Sequence, residues 1–462
     1  MNEADIIILG AGPAGMAAAR TAAGAGASVA ILDENPSPGG QIYRSIRVVP
    51  KGRANLLGEA YTEGRKLADA INHPNIKHIA QANIWRVEND GAIAFSVDQI
   101  AHQLRGRHIV IATGALERPT PLPGWTLPGV MTAGAAQILL KSSGVVPENA
   151  VLAGCGPLLY LIAVQLIKAG CPPKALVETQ SFSDYIAALK FLPKALTNWR
   201  DIAKGLAMLR EIKAAGVQRF SGARDFAIDG DEYASAVRFS SGGRAQTIEC
   251  ETVLLHAGVV PNTQISRALR LEHQWDAHQH CFHPVVDDFG VTSNPQFSIA
   301  GDGVGIAGAK AATFRGQLAA LRALMTLGFG QSGDLQKTMA GVRSELASAL
   351  AIRPFLDRLY QPGSQFQNPA DDTIICRCEE VTAANIRICA KLGCTGPNQT
   401  KTYTRAGMGP CQGRYCGLTV TQILASENNM APQDVGSYRI RAPLKPVTLG
   451  EIASCASVEK PI

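Results

Sequence analysis

Short apolar runs separated by small-residue and turn-rich segments set the rhythm of the first 330 residues of the chain, and each run predicts an element. Ile6-Ile7-Ile8-Leu9 reads as a strand, Met16 to Ala27 as a helix and Ser28-Val29-Ala30-Ile31-Leu32 as a second strand. Residues 52–72 look helical, and residues 76–108 hold short alternating segments consistent with a small sheet. His108-Ile109-Val110-Ile111 is a further strand, and the prolines between Pro119 and Pro128 mark a connection that places a boundary near residue 118. A second strand-turn-helix begins at Ala150, and its unit runs to about Asn262. Phe297-Ser298-Ile299 then predicts a strand that resumes the first unit, followed by a helix over Ala309 to Leu327. The uncharged span Ala150 to Ile167 approaches the length of a membrane helix, but Gly154, Gly156 and Pro157 divide it, so a buried strand and helix are expected and no transmembrane segment.

The turns carry the chemistry. Gly10-Ala11-Gly12-Pro13-Ala14-Gly15 lies between the first strand and helix, where the first glycine permits the turn, the second lets amides approach a pyrophosphate and the third lets the helix pack close. Asp33, at the end of the second strand and followed by Glu34, stands where an acid meets ribose hydroxyls. The loop Asn35 to Arg44 can cross a bound dinucleotide; Gly39 and Gly40 admit close approach, and Gln41 offers an amide to an isoalloxazine or a phosphate, with Arg44 beside it. Thr113 and Gly114 end a strand that can return against the cofactor. Asp302, after Gly301, can accept hydrogen bonds from a ribityl chain or cap the next helix, and the two roles are compatible. In the second unit Leu159 replaces the third glycine, and Glu178 stands one position past the expected acid.

Composition narrows the class. The 462 residues suffice for two to four domains, 46% hydrophobic content indicates a folded α/β protein, and a net charge of +6 spread without basic runs gives no reason to expect nucleic acid as a partner. The chain passes directly from Met1 into the first strand with no leader pattern, so a cytoplasmic location is expected. His256, His273, His278, His280 and His283 gather loosely without a paired acid or nucleophile and are expected to be core or surface residues. Of 11 cysteines, Cys376, Cys378, Cys389, Cys394, Cys411 and Cys416 cluster near the C-terminus. Thiolates suit zinc or an iron-sulfur cluster. Cys376 and Cys378 have two candidate partner pairs at the same spacing, and Cys411 with Cys416 is favoured because glycines surround it, whereas Cys389 sits in an expected helix over Ala383 to Leu392.

The order of Gly10 to Gly15 with Asp33, the Thr113-Gly114 strand end, the inserted glycine unit and Gly301-Asp302 resembles the two-dinucleotide-binding-domain flavoproteins. That resemblance implies an α/β, Rossmann-like fold with the second domain inserted in the first, and FAD held by Gly10, Gly12, Pro13, Ala14, Gly15, Asp33, Glu34, Gly40, Gln41, Arg44, Thr113, Gly114, Gly301 and Asp302. The redox cysteine pair of disulfide reductases is missing, and Leu159 weakens the case for NAD(P)H. The spacing of Cys376, Cys378, Cys411 and Cys416 resembles the small helical bacterioferritin-associated-ferredoxin (BFD-like) module, which implies a [2Fe-2S] cluster on those four thiolates; ligand chemistry alone leaves zinc open. With Glu117-Arg118-Pro119 and the stretch Arg441 to Val447, nearly the whole chain is similar to the larger flavoprotein subunit of heteromeric bacterial amine dehydrogenases, such as opine oxidase, hydrogen cyanide synthase and hydroxyproline or proline dehydrogenases. The resemblance implies domains over 1–118, 119–262 and 263–330, a helical linker over 331–372, the [2Fe-2S] module over 373–428 and a tail over 429–462. It further implies no catalytic residue in this chain and, as partner, a D-amino-acid-oxidase-like FAD subunit, with a small ferredoxin-like third subunit in some members and FMN at a subunit interface in several. A respiratory acceptor would take the electrons, with peripheral attachment at the inner membrane as an option. A self-sufficient NAD(P)H:acceptor reductase is the alternative, and a partner-binding cysteine module is a third reading.

Overall fold

The computed structural model describes residues 3–458; Met1 and Asn2 of the first segment and residues 459–462 of the tail lie outside it. The first sheet contains β1 (Glu3–Leu9), β2 (Val29–Leu32), β3 (Ile76–Ile79), β4 (Asn83–Val87), β5 (Ala92–Val97) and β6 (Ile100–Ile111), in spatial order β3-β2-β1-β6-β5-β4. Residues 76–108 therefore do not form a separate small sheet. β3 joins the central parallel set, and the 12-residue β6 is long enough to pair antiparallel with β5 through its first half and parallel with β1 through its second. Ile6, Ile7, Ile8 and Leu9 of β1 are fully buried on both faces, as a parallel strand between helical layers requires. The helix α1 (Pro13–Gly24) covers one face with alanines, and the helical span over residues 52–72 is broken into three short helices, the first ending at Gly58 with a φ of +90°.

The chain leaves this domain through β7 (Ala115–Glu117) and builds β8 (Val130–Thr132), α2 (Ala133–Ser143), β9 (Ala150–Cys155), α3 (Pro157–Lys168), β10 (Ala175–Glu178) and β11 (Gln218–Phe220). An antiparallel triplet follows, β12 (Arg224–Asp229), β13 (Ala236–Ser241) and β14 (Arg244–Glu249), and then β15 (Thr252–Ala257). The second sheet is parallel throughout, in order β11-β10-β9-β15-β8. β16 (Val259–Pro261) pairs antiparallel with β7, Val260 opposite Leu116, so the chain enters and leaves the inserted domain through one two-stranded hinge. After the hairpin β17 (His273–Asp276) and β18 (Cys281–Pro284), β19 (Phe297–Ile299) returns beside β6, and α4 (Ala309–Leu327) packs on α1.

The expected linker over 331–372 holds α5 (Ser332–Leu350), α6 (Arg353–Leu359) and α7 (Ser364–Gln367). β20 (Ile374–Cys376), β21 (Val381–Thr382), α8 (Ala383–Lys391), α9 (Pro397–Thr404) and α10 (Gly417–Glu427) form the cysteine module. Thr382 caps α8 by accepting from the Asn385 amide while Asn385 answers the Thr382 amide. Val435, Tyr438, Ile440 and Leu444 of the tail share one apolar core with Ile375, Ile386, Val420 and Ile423, so the tail completes the module. The Leu444 amide then donates to Trp85 O at 2.8 Å, stitching the module to the first sheet.

Two buried titratable groups mark where segments distant in sequence are joined. Lys141 of α2 donates to the Gln41 carbonyl at 3.0 Å and to Gln137 Oε1 at 2.8 Å, linking the two dinucleotide-type domains, and burial aided by Arg44 pulls its pKa down to about 7. His108 of β6 meets Ser298 Oγ of β19 at 2.8 Å, and burial lowers its pKa to about 4.

Both groups give stability a slope with pH. Between pH about 4 and 6.5 the unfolded chain binds a proton that folded His108 refuses, so stability falls as pH drops through that window, by about 3 kcal/mol at full extent; urea unfolding of His108→Gln should show a shallower acid slope. Between pH about 7 and 10.5 the unfolded chain protonates Lys141 while the folded chain holds it neutral, so stability rises with pH. Lys141→Met should remove that rise, about 4 kcal/mol, in urea midpoints measured from pH ~7 to ~10.

Candidate functional site: a dinucleotide crevice and a four-thiol module

The first glycine turn is built on backbone contacts. A Cβ on Gly10, whose φ is +107°, would lie 2.5 Å from Ala112 O, and one on Gly15 would lie 1.9 Å from Gly10 O. The loop after β2 folds back over this turn: the Gly39 amide donates to Ala11 O at 2.8 Å, and a Cβ on Gly40 would come within 2.9 Å of Gly12 Cα. Gly301 sits against Ala14, and Gly114, with a φ of +66°, accepts the Asn262 amide at 3.0 Å. Gly10, Gly12, Pro13, Ala14, Gly15, Gly40 and Gly301 are thereby drawn to one place at the carboxyl end of the sheet. The first-turn amides of α1 point out of the helix there, free of i−4 partners and favourable to an anion.

The side chains around the crevice are engaged more fully than spacing suggested. Asp33 is buried; Oδ2 accepts the Ala11 amide at 2.5 Å, and Oδ1 accepts the Asn35 amide at 2.7 Å and its side-chain amide at 2.8 Å. Its carboxylate thus pins the glycine turn to the loop that follows. Glu34 pairs with Lys445 of the tail, and that ammonium, opposing the burial, holds its carboxyl below the usual range. Arg44 donates to Asn35 and, at 2.9 Å, to Gln41 Oε1. Asp302 Oδ1 accepts the Ala307 and Gly308 amides at 2.9 and 3.0 Å, so it closes the turn before α4. Thr113 Oγ1 and Ser37 Oγ are buried without a partner. An orphaned hydroxyl beside the Gly10 turn, with first-turn amides and a glycine-only cradle, fits the phosphate and sugar of a dinucleotide, which Gly12, Ala14, Gly15, Gly40 and Thr113 would hold.

Three further polar residues escaped the sequence reading as parts of a site. Glu117 at the hinge receives the Gly134 amide at 2.9 Å and meets His256 Nδ1 at 2.7 Å. Arg118, buried, donates to Ala257 O at 3.1 Å and to the carbonyls of Gln279 and His280 at 2.5 and 2.9 Å. Lys141 was signalled only by a Gln and a Lys four residues apart in an otherwise apolar helix. The histidines do not form one cluster: His256 belongs to β15, while His273, half-buried, meets Ser266 and His283 lies near Cys281 in the β17–β18 hairpin.

In the cysteine module, Cys378 Sγ lies 3.9 Å from Cys411 Sγ, and Cys376 and Cys416 form a second hydrogen-bonded thiol pair. The Cys416 thiol and the amides of Gly407, Glu379 and Cys378 pull the Cys376 pKa down to about 6. Cys389 pairs instead with Cys394. Among the described residues no three His, Cys, Asp or Glu side chains surround a single metal position, and the two thiol pairs lie near enough for Cys411 to act on Cys416 and Cys376 on Cys378. Glycine is needed beside them: a Cβ on Gly409 would lie 2.2 Å from Cys378 Cβ, and Gly407 and Gly413 lie against the Tyr438 ring.

Comparison with known proteins accords with both halves of this architecture. Residues 4–317 match the pyridine nucleotide-disulphide oxidoreductase family, and residues 371–456 match the sarcosine oxidase A3 domain. The opine oxidase A subunit of Rhizobium meliloti is 44% identical over 459 residues, which cover 97% of this chain and 87% of that protein. Hydrogen cyanide synthase subunit HcnB of Pseudomonas protegens is 31% identical over 457 residues, covering 96% of each chain. L-Proline dehydrogenase from P. horikoshii shares the fold with a TM-score of 0.69 over 97% of this chain and 79% of that one, at 18% identity. The chain belongs to the pyridine nucleotide-disulphide oxidoreductase family and, within it, to the flavoprotein subunits typified by HcnB and its opine oxidase counterpart.

Proposed function

We propose that this chain is the electron-transfer flavoprotein subunit of a heteromeric dehydrogenase that oxidises the C–N bond of an amino acid or secondary amine, with an opine, proline or hydroxyproline, or glycine as the substrate class. The observation that carries the reading is the union of a dinucleotide crevice and four paired thiols in one chain that is alike over 97% of its length to a component of opine oxidase. FAD in the crevice would exchange electron pairs, and a [2Fe-2S] cluster on Cys376, Cys378, Cys411 and Cys416 would exchange single electrons. Four thiolates can serve two irons, each taking two.

The residues of this chain position and insulate. Asp33 fixes the glycine turn, Lys141 and Glu117 hold the inserted domain against it, and Gly407, Gly409 and Gly413 give the thiols room. Amine oxidation belongs to a partner subunit of the D-amino-acid-oxidase type, in some complexes with a small ferredoxin-like third chain and FMN at the interface. No helix of the described residues is long and apolar enough to cross a membrane. The electrons would pass to a respiratory acceptor, in the cytoplasm or peripherally at the inner membrane.

Co-expression with the neighbouring coding sequences should yield a complex whose flavin bleaches anaerobically with an opine, proline, hydroxyproline or glycine and not with NADH or NADPH. About two irons and two sulfides per chain are expected. Cys376→Ser and Cys411→Ser should each lose most of that iron, and Gly409→Ala should lose a large part by displacing Cys378, all with FAD content unchanged. Zinc in place of iron, or stoichiometric bleaching by NAD(P)H without amine, would overturn the reading.

A further inference from the structure

We infer that the second dinucleotide-type crevice is closed by the chain itself, with residues 360–366 lying where a nicotinamide dinucleotide would lie, and that this segment decides against NAD(P)H as an electron donor. In an open parallel sheet the nucleotide lies across the carboxyl ends of the strands at the point where strand order reverses. In this domain that point is between β9 and β15, above Gly154, Cys155 and Gly156.

Gly154, Cys155 and Gly156 are all buried, whereas Gly10 and Gly12 of the first domain are partly open. What covers the second turn is the stretch from the end of α6 into α7. The Cys155 thiol donates to Tyr360 O and Gln361 O, both at 3.6 Å, and Gly363 lies against Thr179 at the end of β10. Phe366 inserts into the core formed by Cys155, Val177 and Phe226, and Gln365 Oε1 accepts the Phe226 amide at 3.3 Å. Tyr360 meets Tyr160 edge-on at 6.2 Å, and Arg358 donates to Asp184 at 3.1 Å. Backbone carbonyls and aromatic rings therefore occupy the approach to the glycine turn.

The residues that would receive the nucleotide are also committed elsewhere. Glu178, at the ribose position of β10, is 0% exposed; Arg219 donates to its Oε2 through Nε at 3.0 Å and Nη2 at 2.7 Å, while Tyr160 and Gln180 donate to Oε1. A carboxylate that already accepts four hydrogen bonds has little capacity left for ribose hydroxyls. On the other side of the turn, a Cβ on Gly156 would lie 3.2 Å from the His256 ring, which Glu117 holds in place. Leu159 is fully buried in the core between α3 and the sheet, so the departure from the glycine fingerprint is absorbed by packing. The same segment leads directly into β20 and Cys376, which makes the filled crevice an anchor for the cysteine module. None of these contacts depends on which amine the complex oxidises.

The test uses the full-length chain with its resident cofactors. Hydrogen exchange should show slow amides across 154–159 that NADH and NADPH at millimolar concentration leave unchanged, and Cys155 should resist maleimide labelling read by peptide mass. Tyr360→Ala combined with Phe366→Ala should speed Cys155 labelling at least tenfold and release the 154–159 amides; Arg358→Ala, a milder change, should do so to a lesser degree. Saturable binding of one NADH per wild-type chain that protects 154–159 and frees 360–366 would overturn the inference. So would Cys155 labelling in the wild type as fast as in the urea-unfolded chain, a measurement that needs no variant to fold.

Discussion

Contact between backbones at α1 is the constraint on which the molecule rests. On one side Gly15 brings the helix onto the Gly10 carbonyl; on the other, a Cβ on Gly316 of α4 would lie 2.0 Å from Ala14 O, and one on Gly301 would lie 2.8 Å from Ala14 Cβ. α1 is thus held between β1 and α4 at a separation that only glycine and alanine allow, and its buried face is almost entirely alanine. Such contact gains dispersion energy from many atoms at close range and leaves no slack for a larger side chain. The glycine turn cannot shift without moving both elements, which fixes the amides that face the crevice.

The same arrangement of strand, glycine turn and helix occurs twice, and the two copies are put to different uses. In the first, the turn is pinned from below by Asp33 and left partly open above. In the second, it is buried beneath a later segment and its acid is saturated by Arg219, Tyr160 and Gln180. A crevice lined by backbone polar groups must have them satisfied, by ligand, water or protein. Here the thiol of Cys155 finds its partner in the chain just after α6, and the Phe226 amide finds its partner in Gln365 of α7.

Long-range polar contacts join the parts into one body. Lys141 reaches from the inserted domain to the Gln41 carbonyl, Arg118 ties the hinge to the β17–β18 hairpin, and Lys445 returns from the tail to Glu34. Trp125 of the inserted domain donates to Ile374 O at 2.6 Å, two residues before the first cysteine of the module, with Arg377 over its ring. The module therefore touches both dinucleotide-type domains, and its own core takes in side chains from the tail.

The sequence by itself determined the elements whose causes are local. Apolar runs specified β1, β2, β9 and β19, glycine spacing specified the turns, and the order of these motifs specified which segment returns to which sheet. It also separated six clustered cysteines from the scattered ones and favoured Cys411 with Cys416 over Cys389 with Cys394 as partners of Cys376 and Cys378; in the fold, where α8 packs against α10, Cys389 lies beside Cys394 and Cys378 beside Cys411. Only the tertiary structure decided that Asp33 spends its carboxylate on the glycine turn, that residues 76–108 extend the main sheet, that the tail belongs to the module and that the second crevice is filled. Each of these depends on contacts between residues tens to hundreds of positions apart. Propensity and periodicity carry no information about such contacts, because the free energy that selects them comes from burial and hydrogen-bond satisfaction across the assembled whole.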